Sequence, residues 1–184
     1  MEEGKTYNIF KETSMETLRI LQIMDDTTAD GPGFRTSIYC AGCGHSCPGC
    51  HNPQTWDFQG GVEMTVDEIM ERIKSDPFCN VTFSGGDPMY QAEGFAELAE
   101  RIKKETKKNI WCYTGFTFET CLRSESQLRL LRSIDVLVDG PFVERLRDTS
   151  LRFRGSSNQR IIDAQASLRE GHPILLEYKV GLGL

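Results

Sequence analysis

The sequence has no hydrophobic run long enough to cross a membrane. A spanning helix needs about 18 or more consecutive apolar residues, and no stretch of the 184-residue chain approaches that length. The first five residues are acidic rather than basic and no apolar segment follows them, so a secretory signal peptide is not expected. We therefore expect a cytoplasmic protein with no membrane partner.

Excess positive charge is also absent. The chain has 21 Lys and Arg residues against 27 Asp and Glu residues, which gives a formal net charge of −6. Nonspecific binding to nucleic acid depends on neutralising phosphates with basic side chains. We therefore expect no nucleic-acid partner.

Internal repeats, low-complexity tracts and domain linkers are absent as well. A chain of this length folds most often as one domain and buries about 70% of the surface that its unfolded form exposes. We expect residues 1–184 to form a single domain, with a flexible tail over residues 170–184.

The cysteine content does not suit a secreted disulfide scaffold. There are seven cysteines, an odd number, and four of them lie between positions 40 and 50. Disulfide scaffolds usually contain an even number of cysteines spread over a short chain. The pattern instead favours metal ligation in a reducing compartment.

Apolar patterns alternate between strand-like and helix-like segments. Strands are predicted at 17–23, 35–40, 80–83, 110–113, 134–138 and 159–162, and helices at 66–75, from 88 onward and over 117–132 with a break near 124–126. Strands that alternate with helices predict right-handed βαβ crossovers in an α/β fold. Because five or six strands are fewer than the eight of a closed barrel, we expect an incomplete TIM-type barrel with mostly parallel strands.

The motif Cys43-x-x-x-Cys47-x-x-Cys50 lies in a glycine-rich loop directly after the second predicted strand. Three thiolates can bind one face of a [4Fe-4S] cluster, and the fourth iron then lacks a protein ligand. A compact zinc site made by the pairs Cys40/Cys43 and Cys47/Cys50 is the alternative, although zinc ribbons separate such pairs by about 15–20 residues. Cys40 falls within a strand, and we expect it to be a buried small residue. Three further cysteines are expected in the core: Cys79, Cys112 and Cys121.

The segment Gly85-Gly86-Asp87-Pro88 follows the third predicted strand. Glycines allow backbone groups to approach a small zwitterionic ligand closely. The alternative is an ordinary strand-to-helix turn, with Asp87 as the N-cap and Pro88 in the first helical position.

In combination, these segments resemble the radical S-adenosylmethionine (SAM) superfamily. A closer resemblance, to the family that activates anaerobic ribonucleoside-triphosphate reductases, covers about residues 17–163. It rests on five segments, at 30–35, 47–56, 84–88, 138–142 and 154–160.

The resemblance implies a radical SAM fold, a [4Fe-4S] cluster on Cys43, Cys47 and Cys50, and SAM as the second cofactor. It implies that SAM is bound by Gly49, Cys50, His51, Gly85, Gly86 and Asp87. His51 departs from the Tyr or Phe that is usual at its position; an imidazole can stack on adenine, and an exposed loop histidine is the alternative. His45, between the first two ligands, is expected to face solvent.

The function implied is reductive cleavage of SAM, followed by formation of a glycyl radical on a large partner, the class III ribonucleotide reductase. A reduced flavodoxin-like protein is the implied electron donor. Alternatives are an activase of another glycyl radical enzyme, of the pyruvate formate-lyase type, and a small-molecule enzyme such as a deazaguanine synthase. A metal-stabilised binding module without turnover is the alternative from another class.

The connector from Pro141 to Arg160 has five arginines against two acidic residues, in a chain that is acidic elsewhere. We predict that this connector helps to dock the partner. A solvated basic loop is the alternative.

Overall fold

A seven-stranded sheet organises the part of the chain that the computed structural model describes, residues 16–178. The strands are β1 (Thr17–Thr27), β2 (Arg35–Cys40), β3 (Val62–Thr65), β4 (Asn80–Gly85), β5 (Ile110–Tyr113), β6 (Val136–Asp139) and β7 (Arg160–Asp163). Their order across the sheet is β3-β1-β2-β4-β5-β6-β7. The helices are α1 (Val66–Ser75), α2 (Ala92–Glu105), α3 (Phe118–Cys121), α4 (Glu125–Ser133) and α5 (Ala164–Glu170).

The sheet is mixed and open, which corrects part of the predicted fold. Strands β2, β4, β5 and β6 are parallel neighbours, whereas β1, β3 and β7 each pair antiparallel. Strands β3 and β7 are the two edges and do not pair with each other. The α/β class is confirmed. The prediction of five or six mostly parallel strands is wrong, because the sheet has seven strands and three of them pair antiparallel. The short connection between β1 and β2 permits an antiparallel pair, since only parallel neighbours need a long crossover.

Strand β3 was not predicted from the sequence. It has four residues, all of them exposed or only half-buried, and it pairs with the first part of β1. A strand of this kind has no alternation of buried and exposed residues by which a sequence pattern could reveal it.

Helix α1 begins at its predicted residue and buries one face. The Thr65 side chain accepts a hydrogen bond from the Glu68 N–H, and the Glu68 carboxylate accepts one from the Thr65 N–H, which is a capping box. Four of its residues are buried at helical spacing: Val66, Ile69, Met70 and Ile73.

Helices cover one face of the sheet, and alternation along the strands decides which side chains meet them. In β4, Val81 and Phe83 join the main core together with Phe95 and Leu98 of α2. A second hydrophobic cluster is formed by residues of β5, β6 and β7 together with Phe153 and Tyr178. Its strand residues are Trp111, Val136, Val138 and Ile161. The predicted break in the helical region 117–132 is confirmed, because α3 and α4 begin at separate N-caps, Thr117 and Ser124.

Of the expected tail 170–184, the structure describes residues 170–178. The Asp163 N–H donates to the Ile174 carbonyl, and the Leu176 N–H donates to the Ile161 carbonyl, so this segment lies beside β7. The Tyr178 ring contacts the Trp111 and Phe153 rings edge-on. No helix among residues 16–178 has the length and apolar character to cross a bilayer.

Candidate functional site

The cysteine loop begins where β2 ends, at the carboxyl ends of the parallel strands. Three of its residues have positive φ: Gly42 at 91°, Ser46 at 47° and Gly49 at 71°. The backbone N–H of Gly42 donates to the Thr55 carbonyl over 2.8 Å, and that of Cys43 donates to the Trp56 carbonyl over 3.2 Å. One side of the loop is therefore anchored by the segment that follows it.

The seven cysteines divide into two groups by exposure. Cys43, Cys47 and Cys50 are half-buried, and all three lie in the loop. The other four, Cys40, Cys79, Cys112 and Cys121, are at most 1% exposed, which confirms their prediction as core residues. Because Cys40 is enclosed within β2, only three thiols of this region can reach a group bound at the loop.

The loop thiols of the described residues do not form a compact group of three ligand atoms. A zinc–sulfur bond of about 2.3 Å requires all the ligand sulfurs to lie within about 4.6 Å of one another. Among residues 16–178, the only three potential ligands within 4.8 Å of one another are those of Asp26, Asp76 and Cys79, far from the motif in sequence. The donor set fits a [4Fe-4S] cluster better, since each thiolate then binds a different iron.

Burial raises the pKa of the Cys43 thiol, and the negative charge of Asp87 and the two other loop cysteines raise it further. Without a metal, this thiol is therefore protonated near neutral pH. Bound iron would supply the positive charge that favours the thiolate.

The two glycines at the end of β4 pack against the end of β2 and the start of the cysteine loop. A Cβ at Gly85, whose φ is +103°, would collide with the Cys40 backbone, and one at Gly86 would collide with the Gly42 carbonyl. The Gly86 N–H donates to the Cys40 carbonyl over 2.8 Å. The absence of side chains here lets the end of β4 and the loop meet backbone to backbone.

Asp87 also fits the strand-to-helix turn that was the alternative for its motif. Its Oδ1 accepts the Met89 N–H over 2.9 Å and so caps a 3-10 turn, Pro88–Gln91. The motif therefore serves as a turn, and it also lies beside the cysteine loop, since the Asp87 N–H donates to the Gly42 carbonyl.

Asp87 joins the loop to the end of β5. Its carboxylate is 1% exposed, and its Oδ2 accepts hydrogen bonds from the His45 Nε2 at 2.8 Å, the Thr114 hydroxyl at 2.9 Å and the Gly115 N–H at 2.9 Å. Sequence reasoning did not find Thr114 or Gly115. The available signal was a polar residue and a glycine directly after a strand whose carboxyl end faces the loop.

The prediction that His45 faces solvent is wrong. Its side chain is 18% exposed, and its ring lies edge-on to the Phe116 ring with centroids 4.6 Å apart. A histidine between two ligands in a loop suggests exposure, because its buried partners come from β4 and β5, distant in sequence. His51, by contrast, is exposed beside Cys50, and neither interpretation of that residue is excluded.

The connector between β6 and β7 reaches the cysteine loop. A Cβ at Gly49 would lie 2.9 Å from the carboxyl group of Glu144. Arg145 and Arg147, next to Glu144, are exposed and form no salt bridge with a described residue. Arg160 differs, because it pairs with Glu119 and the buried Asp139.

Known proteins are similar in sequence to most of this chain. A family model for 4Fe-4S single cluster domains matches residues 29–162. A protein of Vibrio cholerae is 40% identical over 140 residues, which cover 72% of this chain and 89% of that protein. One of Escherichia coli K12 is 38% identical over 141 residues (71% and 88%), and one of enterobacteria phage T4 is 35% identical over 138 residues (72% and 85%). All three are named anaerobic ribonucleoside-triphosphate reductase-activating protein. The chain belongs to this family.

Membership in the activating-protein family confirms the resemblance expected from the sequence. The matched domain contains both the cysteine loop and the Gly85-Gly86 segment, and its description supports an iron–sulfur cluster rather than zinc. A radical SAM fold is consistent with this family, while the incomplete TIM-type barrel stays a prediction.

Proposed function

We propose that this chain is a radical SAM activase. It reductively cleaves SAM at a [4Fe-4S] cluster held by Cys43, Cys47 and Cys50, and it generates a glycyl radical on an anaerobic (class III) ribonucleoside-triphosphate reductase. The observation that carries the proposal is the set of three half-buried thiols in a loop packed against Gly85 and Gly86. The names of the relatives support the choice of partner.

In this proposal, the residues of the chain bind the cluster and SAM and orient them. The chemistry that a [4Fe-4S] cluster supplies when bound is a strongly reducing electron and an iron with an open coordination position. The cysteine loop contributes three ligands and no fourth, because Cys40 is buried in β2. In the proposal, the SAM site is lined by Gly49, Cys50, His51, Gly85 and Gly86. Because SAM is fixed there when it binds, the entropic cost of its alignment is met before the electron arrives.

The substrate of the radical is a backbone glycine of the partner, which can approach closely because it has no side chain. We also propose the large reductase subunit as the partner, a reduced flavodoxin-like protein as the electron donor, and the cytoplasm as the location. No acid or base on the chain is required for this chemistry.

The proposal is tested with protein that is purified anaerobically and reconstituted with iron and sulfide. We expect iron and sulfide to bind, 5′-deoxyadenosine to form from SAM and dithionite, and a glycyl doublet to appear in the electron paramagnetic resonance (EPR) spectrum of the added reductase. A glycyl doublet that forms only when pyruvate formate-lyase is added would show that the partner is that enzyme and not the reductase. Bound zinc with no formation of 5′-deoxyadenosine would favour a binding module and overturn the proposal.

The basic connector supplies a partner surface for the same proposal. Arg145 and Arg147 are exposed beside Glu144, which contacts the cysteine loop. We expect the double change Arg145→Glu and Arg147→Glu to weaken activation of the reductase at least about fivefold at low salt, because charge reversal slows association. Cleavage of SAM in the absence of the reductase is expected to stay unchanged.

The matched control reverses two lysines, Lys104→Glu in the last turn of α2 and Lys107→Glu just after that helix. Both are exposed, and they precede β5 at the opposite end of the strands from the cysteine loop. Equal activation by wild type and by the arginine variant would show that the connector is only a solvated basic loop.

A further inference from the structure

We propose that His45 and Asp87 are positioning residues whose hydrogen bond fixes the cysteine loop over the ends of β4 and β5. The inference rests on the proposed function for the identity of the bound groups. It is separate from the reaction itself, because it concerns how the loop is held.

The hydrogen bond starts within the ligand motif. His45 lies two positions after Cys43 and two before Cys47, so its side-chain anchor restrains both ligands. The backbone anchors at Gly42 and Cys43 connect the loop to residues 55 and 56. The His45 side chain connects the loop in another direction, to the strand ends. The two sets of contacts together restrain the stretch that contains the first two thiols.

The acceptor in this hydrogen bond is held rigidly. One oxygen of Asp87 takes the hydrogen bonds of His45, Thr114 and Gly115, and the other takes that of Met89. Hydrogen bonds to a buried carboxylate are stronger than those between neutral groups. Movement of Asp87 would therefore break contacts to β5 and to the following turn at the same time.

The imidazole is also fixed by packing. It contacts the rings of Phe116 and Tyr90, with centroids 4.6 and 5.6 Å away. A Cβ at Gly115 would collide with the ring. Glycine at position 115 thus leaves the space that the imidazole fills, and the ring has little freedom to turn away from Asp87.

The same arrangement changes the expected role of Asp87. The resemblance implies that this residue contacts SAM, but its carboxylate is 1% exposed and already accepts four hydrogen bonds. Its neighbour Gly86 remains among the residues expected to bind SAM. Asp87 therefore acts through His45, and it couples the position of the cluster ligands to the position of Gly86.

Two substitutions at His45 separate the hydrogen bond from the packing. His45→Phe retains a ring and removes the donor, whereas His45→Gln retains a donor. For His45→Phe we expect an altered EPR spectrum of the reduced cluster in the absence of SAM, faster loss of iron to a chelator, and a KM for SAM raised about tenfold, which is within the range for outer ligand partners. His45→Gln is expected to restore all three measurements to within about threefold of wild type.

A third variant moves the ring without changing it. Gly115→Ala introduces the methyl group that collides with the imidazole, and we expect it to change the EPR spectrum in the same sense as His45→Phe. Matched controls are His172→Phe, at an exposed histidine, and Asp163→Ala, which removes the side-chain cap of α5 at a distance from the loop. Neither control is expected to change the EPR spectrum or the KM for SAM.

An unchanged EPR spectrum and KM in His45→Phe, with only a lower melting temperature, would overturn the positioning role. So would equal effects of His45→Phe and His45→Gln. The spectrum of the reduced cluster and the loss of iron do not require SAM cleavage. If the wild-type protein binds iron but does not cleave SAM, the proposed reaction fails while these two measurements still decide the role of His45.

Discussion

The three loop cysteines and the four core cysteines are the same side chain in two environments. Cys121 is fully buried, and burial raises its pKa to about 12; burial likewise raises the pKa of Cys79 to about 11. Burial also raises the pKa of Cys43, although this thiol is half-exposed. A raised pKa therefore does not distinguish the two groups. The distinction is positional, since the loop thiols lie beyond the end of β2 and retain access to a bound group.

Removal of a loop thiol should have the largest effect and gives the strongest test of this comparison. We expect Cys47→Ala to lower SAM cleavage more than about 100-fold, because loss of a direct ligand exceeds the 10–100-fold cost of losing an outer partner. The measurements are iron per chain and the rate of 5′-deoxyadenosine formation. The control is Cys40→Ala, three positions before the motif, which is expected to retain its iron. Loss of iron in that control would place Cys40 among the ligands and contradict the division.

A core cysteine should respond in stability rather than in iron binding. We expect Cys112→Ser to lower the free energy of unfolding by about 1–3 kcal/mol, because a hydroxyl replaces a small apolar group at a position that is 0% exposed. Urea denaturation under anaerobic conditions measures the change, and iron per chain should equal that of wild type. A variant that unfolds like wild type but loses its iron would break the comparison.

The core thiols should also affect the stability of the protein at alkaline pH. The folded-state pKa of Cys121 is raised from 9 to about 12. The contribution of this thiol to the free energy of unfolding is therefore complete below pH 9 and is lost as the pH rises towards 12. Between pH 9 and pH 12, the free energy of unfolding falls by about 1.4 kcal/mol per pH unit. The difference in unfolding free energy between wild type and Cys121→Ala should therefore shrink from pH 9 to pH 11. A difference that does not change with pH would show that Cys121 is not protected from ionisation.

The sequence carried enough information for the elements that have strong local patterns. The capping box of α1, the buried stripes of α1 and α2 and the buried state of Cys40 all follow from periodicity and from neighbouring residues. Strand β3 has no such pattern, and it forms because β1 offers an edge. The antiparallel direction of β7 depends on the connector before it, which contains no helical crossover.

The candidate site could be predicted in its chain positions and not in its contacts. The cysteine spacing and the glycine pair indicated which two segments of the chain carry the site. The hydrogen bonds of Asp87 could not be read in the same way, since His45 and Thr114 lie 42 and 27 residues away from it. A polar partner from a distant strand end leaves no local signal, and for this reason His45 was expected in solvent.

The most direct test of the central claim is the Mössbauer spectrum of protein reconstituted with ⁵⁷Fe, recorded with and without SAM. Three cysteine ligands leave one iron of four without a protein ligand, so SAM should change the signal of one quarter of the iron and leave the rest as it was. A spectrum in which no iron responds to SAM, or in which all four irons are equivalent and cysteine-bound, would contradict the account.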